Sequence, residues 1–179
     1  MRIEIMLRKR SLCLLTAVLM MLPLSAAAEG WLSYENKQAG VKLKYPPDWV
    51  MTETLAGAVV AFGVPKEKAN LKMVENVTVT VQDLTPDATL EKYSRAYEEQ
   101  RKNDPIAPKV IESRKTTLGG LAARRIVCLG KQKEMEIEFL QVWTIKDHKS
   151  YLLTYGAEKN TYAKFVKEAE KIISSLVFV

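Results

Sequence analysis

The chain is 179 residues long, 47% hydrophobic, with a formal net charge of +6, one histidine and two cysteines. That length holds one domain of ordinary size, and so few His and Cys exclude a disulfide-stapled scaffold and a metal centre rich in imidazole or thiolate. The basic residues are interleaved with acids instead of gathered into a stripe, which excludes a nucleic-acid footprint.

Residues 1–28 read as a secretory signal peptide. Arg2, Arg8, Lys9 and Arg10 precede an apolar run from Ser11 to Leu24, and Ala26-Ala27-Ala28 offers small residues for cleavage. A retained membrane anchor is the rival, but the run falls short of the roughly 20 apolar residues that span a bilayer. Export by the general secretory route, to the periplasm or beyond the cell, is the expectation. No stable membrane span remains after processing. Residues 29–179 then form one domain, whose charge is +3 once four basic residues and Glu4 have left with the signal. Cys13 leaves too, so Cys128 has no intramolecular partner and reads as a small buried hydrophobe.

Trp31–Asn36 and Val41–Tyr45 form a hairpin around Lys37-Gln38-Ala39-Gly40, its second arm alternating Val41, Leu43 and Tyr45 with Lys42 and Lys44. Pro46-Pro47-Asp48 ends it because prolines cannot donate to a sheet ladder, and Trp49 follows as an apolar plug. Val50–Thr54 and Ala58–Val64 are short strands, and Lys66–Lys72 is a polar loop. Glu75–Asp83 alternates Val77, Val79 and Val81 with polar residues, the clearest strand signal in the chain. Asn76-Val77-Thr78 matches a glycosylation pattern but lies within that strand.

Thr85–Thr89 supplies capping side chains for a helix carrying Leu90, Tyr93, Ala96 and Tyr97 and ending by Asn103. Lys109 to Ala157 then reads as an antiparallel meander of four strands. Its turns fall at Leu118-Gly119-Gly120, Gly130–Lys133 and Lys146–Lys149. The strand from Glu134 begins half polar and becomes apolar on both faces through Leu140, Val142, Trp143 and Ile145, as a central covered strand does. A second helix, capped by Asn160 or Thr161, carries Tyr162, Phe165, Val166, Ala169, Ile172, Ile173 and Leu176 on one stripe. Val177–Val179 adds a short strand. The expected class is α+β, a mainly antiparallel sheet with the two helices on opposite faces.

The search for chemistry yields little. His148 stands in a turn with no partner type at a recognisable distance, Cys128 lacks a base, and Gly119-Gly120 is followed by neither a phosphate-binding lysine nor a helix. No catalytic or cofactor-binding residue is assigned. Glu134, Glu136 and Glu138 point the same way along one strand and are the metal candidates, calcium being the hard cation they would suit. Arg124 and Arg125 on the preceding strand are expected to balance them. Trp31, Tyr34, Tyr45 and Trp49 crowd one hairpin and are the candidates for a partner-binding surface, the alternative being a satellite core under the hairpin.

The chain resembles the PsbP-like family, which shares an α/β/α sandwich with Mog and the DcrB-related bacterial exported proteins. The resemblance rests on Gly40-Val41-Lys42-Leu43-Lys44-Tyr45-Pro46-Pro47-Asp48-Trp49, on the strand-then-helix Val77 to Tyr97, on the Gly119-Gly120 hairpin, and on Tyr151-Leu152-Leu153-Thr154-Tyr155 leading to the last helix. It covers essentially all of residues 29–179. It implies a non-catalytic domain that binds or stabilises another envelope or extracellular protein. A calcium or small-ligand binding protein, or an envelope enzyme using carboxylates, is the alternative.

Overall fold

The computed structural model describes residues 30–65, 75–106 and 109–179. The signal-peptide expectation and the loop expected over Lys66–Lys72 lie outside them.

Two antiparallel sheets form. The first joins β1 (Leu32–Asn36), β2 (Val41–Tyr45) and β10 (Val177–Phe178) in the order β1-β2-β10. The second joins β3 (Val50–Thr52), β4 (Val60–Gly63), β5 (Asn76–Asp83), β6 (Lys109–Leu118), β7 (Leu121–Gln132), β8 (Met135–Lys146) and β9 (Lys149–Glu158), ordered β3-β4-β5-β9-β8-β7-β6. The opening hairpin therefore leaves the large sheet and closes on the last two strand residues of the chain. Pro46 and Pro47 make that break, since neither can extend a ladder from β2.

The four-strand meander is present, each strand pairing with the next, with one register shift in β6 between Val110 and Glu112. β9, not β8, occupies the middle of the seven strands; β8 lies beside it. The middle turn also differs from expectation. β7 continues through Gln132, and the chain reverses at Lys133, whose φ of 55° is a left-handed turn conformation. Gly130 thus stays in the ladder opposite Ile137.

Helix α1 (Leu90–Lys102) starts at Thr89, whose side chain accepts from the Lys92 amide at 3.2 Å. Helix α2 (Lys159–Ser174) starts two to three residues earlier than expected. Its N-cap is Glu158, with no side-chain cap, and Asn160 and Thr161 fall inside the first turn. Thr161 Oγ1 serves the turn differently, donating to the Glu158 carbonyl at 3.1 Å and to the Glu75 carboxylate. Phe165, Ala169, Ile172 and Ile173 are the buried face of α2.

The core falls into two clusters. The larger holds Val41, Leu43, Phe62, Val77, Val79, Val127, Leu140, Val142, Leu153 and Tyr155 with the buried face of α2. The smaller holds Ile126, Cys128 and Trp143 with Leu90, Tyr93 and Tyr97 of α1 packed against them. Neighbouring residues such as Val127 and Cys128, or Val142 and Trp143, feed different clusters, as pleated strands require. Trp143 is fully buried, and its truncation to alanine would cost about 3–5 kcal/mol.

Candidate functional site

Where the two sheets separate, Trp31, Asp48 and Trp49 meet Phe165, Glu168 and Lys171 of α2 around a pocket of about 370 Å³. The local sequence builds it. After Pro46 the Trp49 amide donates back to the Pro46 carbonyl at 3.1 Å, a tight turn that swings the indole inward. Trp49 and Phe165 are buried and give the pocket apolar walls, while Trp31 is only partly covered. Phe165, Glu168 and Lys171 recur every three residues of α2, which sets them on neighbouring turns along one side.

The polar groups of this pocket are unequal. Glu168 Oε2 is buried and has no hydrogen-bond partner. Lys171 Nζ lies 6.0 Å from the centroid of the Trp31 ring, at the limit of a cation–π contact. The arrangement sets aromatic faces beside the Glu168 carboxylate, one oxygen of which is buried. It can hold a small group with an apolar stem and a positive end.

Of the four aromatic candidates only Trp31 and Trp49 line this pocket. Tyr34 is buried, donates to Glu53 Oε1 at 2.6 Å and accepts from Asn36 Nδ2 at 3.2 Å. Tyr45 stacks on Phe62 at 4.8 Å, and Tyr34 meets the same ring edge-on at 5.9 Å. The satellite core therefore takes two of the four: the hairpin folds over the β4 end of the large sheet, and Phe62 packs against Tyr34 and Tyr45.

The acidic strand is also corrected in detail. Glu134 stands in the turn before β8 and pairs with Lys131 at 3.3 Å, and Glu136 pairs with Lys159 at 3.1 Å. Glu138 is half-buried; burial pushes its carboxyl above the usual range, with Lys159 opposing. Arg124 and Arg125 do not face these acids, because the register sets them opposite Trp143 and Val142. Arg124 instead pairs with Glu98 of α1 at 2.7 Å, and Arg125 with Glu112 and with Glu170 of α2. Among the described residues no group of three or more His, Cys, Asp or Glu side chains could hold a metal ion.

Two other hollows carry less. One of about 700 Å³ at the β7–β8 turn is bordered by Glu134, Glu136 and Lys159, whose charges are already spent on the pairs above. One of about 640 Å³ between α1 and the β6–β7 edge is bordered by Arg95, Glu91, Arg124 and Glu98, likewise mutually paired.

Cys128 and His148 do not meet. Cys128 is fully buried opposite Phe139, and burial pushes its thiol above the ordinary value. His148 sits at φ 57° in the β8–β9 turn, its carbonyl accepting from the Leu84 amide at 2.7 Å. From Phe139 to Lys146 the strand alone covers roughly 23 Å, too far for a nucleophile and its base.

Glu168 was legible in one respect only. It interrupts the apolar stripe of α2 at the i+3 position from Phe165, where a carboxylate is out of place. Glu75 gave no signal at all, yet it is fully buried, accepts from Thr161 and keeps its second oxygen without a partner.

Solved structures share this fold. Cyanobacterial PsbP (CyanoP) from Synechocystis sp. PCC 6803 is 14% identical, covering 87% of this chain and 96% of its own, with a TM-score of 0.60. LpqN of Mycobacterium tuberculosis is 15% identical over 86% of this chain and 87% of its own, with a TM-score of 0.63. The Saccharomyces cerevisiae Ran-binding protein Mog1p is 8% identical over 85% and 97%, at 0.55. No curated protein matches the chain significantly. The model of one protein family matches residues 25–178, essentially the whole span from the end of the apolar run to the last strand, and by that match the chain belongs to the PsbP-like protein family.

Proposed function

We propose that the protein is an exported, non-catalytic binding or assembly module of the bacterial cell envelope, and that its contact with another protein runs through the pocket beside Trp31. The pocket itself carries this reading: it joins a partly covered indole to buried aromatic walls, the chemistry that anchors a partner side chain. The separation of Cys128 from His148 supports a role without chemistry.

In this reading the fold is an α/β/α sandwich, α1 and α2 on opposite faces of the seven-stranded sheet, since they draw on alternate residues of β7, β8 and β9. Its envelope setting is supported by the signal-like residues 1–28 and by LpqN, which is described as involved in cell envelope biogenesis. No helix among the described residues is long and apolar enough to cross a membrane.

Affinity capture from the native envelope with residues 29–179, run beside a Trp31→Ala form, is the test. A polypeptide retained by the first and lost by the second is the expected result. Equal retention by both, or none by either, removes the proposal.

A further inference from the structure

We infer that the pocket between the opening hairpin and α2 is a receptor for one basic side chain, lysine or arginine, presented by the partner polypeptide. The inference rests on the binding reading above and adds to it the chemistry that is recognised.

Three observations converge. The walls are aromatic, with Trp49 and Phe165 almost fully buried and Trp31 part-covered, so the methylene stem of a basic side chain would lie against apolar faces. Glu168 borders the pocket, and its Oε2 is shut off from solvent and meets no donor. A buried acceptor left in that state is costly unless a donor reaches it, and an ammonium or guanidinium is the strongest donor available. Finally, the pocket already holds a cation near an indole: Lys171 Nζ stands over Trp31 without forming an ion pair to Glu168.

Size agrees. A volume of about 370 Å³ lies near the low end of ligand pockets, which run from roughly 300 to 1,000 Å³. One long side chain fits that scale, and a folded domain or a helix does not.

Lys171 is the competitor in this arrangement. It shares Trp31 with the incoming cation and repels it, so its removal strengthens binding. Glu168 is the discriminating group, because the aromatic walls alone would accept an uncharged chain of the same length equally well.

The site is tested by NMR titration of residues 29–179, following the indole N–H signals of Trp31 and Trp49. The probes are N-acetyl-lysine methylamide, N-acetyl-arginine methylamide and the uncharged N-acetyl-norleucine methylamide. The expected result is saturable perturbation of both indoles by lysine or arginine and none by norleucine. Glu168→Gln is expected to weaken binding about tenfold, the scale of one charge-assisted hydrogen bond. Lys171→Met is expected to tighten it about two- to fivefold, the scale of one exposed cation–π or like-charge contact. Norleucine binding as well as lysine, or Glu168→Gln binding like the parent, overturns the inference. The unaltered signals of β8 and β9 in each variant show that it has folded. Probe binding with no polypeptide captured from the envelope upholds the receptor and removes the partner reading. A captured partner indifferent to Glu168→Gln does the reverse.

Discussion

Trp143 Nε1 donates to Ser94 Oγ at 2.9 Å, a buried bond that ties α1 to β8 across 49 residues of chain. Both side chains are buried, Trp143 completely. Ser94→Ala leaves the indole N–H unpaired and is expected to lose about 1–3 kcal/mol. Urea unfolding of the two forms checks this, with the midpoint falling and the slope unchanged.

The two glycines of the β6–β7 turn are predicted to respond differently to alanine. Both have positive φ, 56° at Gly119 and 80° at Gly120. A Cβ at Gly120 meets nothing within 4 Å, whereas one at Gly119 would stand 2.5 Å from Phe178 Cε2 and 2.8 Å from Leu176 Cδ2. Gly120→Ala should cost about 1–2 kcal/mol from conformation alone. Gly119→Ala should cost about 1–3 kcal/mol more through overpacking and loosen β10, read as faster amide exchange at its residues. Equal thermal shifts for the two variants would contradict this.

Glu112 and Arg125 predict an acid-dependent term in stability. The Arg125 guanidinium holds the Glu112 carboxyl below the usual glutamate range, burial working against it and Arg114 adding to it. A carboxyl lowered in the folded state contributes stability above its unfolded value and loses it as pH falls through the folded one. Glu112 and Glu170 are 41% and 48% exposed, so the neutral-pH loss in Arg125→Met should be under about 1 kcal/mol. The gap between parent and variant should close below about pH 4. Denaturant unfolding at a series of pH values measures it.

Cys128 is expected to behave as a core residue and not as a reactive thiol. It has no exposed surface and its thiol is held in the protonated form by burial. A maleimide should label it only at the rate at which the protein opens. Cys128→Ser, which buries a hydroxyl, should cost about 1–3 kcal/mol. Rapid labelling of the native protein would contradict the assignment.

Local pattern alone determined much of this protein. Alternation in Val77–Val81, the capping threonine at residue 89 and the 165/169/172/173 stripe each fix an element through nearest neighbours. Turn glycines at 119 and 120 fix a hairpin, and with it the pairing of β6 to β7. Such signals are legible because the forces behind them act over a few residues.

Only the tertiary structure decided which charges meet and which aromatics remain accessible. Arg124 and Arg125 meet other partners than expected because cross-strand register depends on where the β7–β8 turn falls, and narrowing it from Gly130–Lys133 to Lys133-Glu134 carries each arginine along the ladder. Trp31 and Trp49 parted from Tyr34 and Tyr45 because Phe62, from another strand, took two rings and left two. The pocket could not be read at all from the sequence. Trp31 and Lys171 stand 140 positions apart and are joined only because the last strand, β10, pairs with β2 and draws α2 beneath the first hairpin.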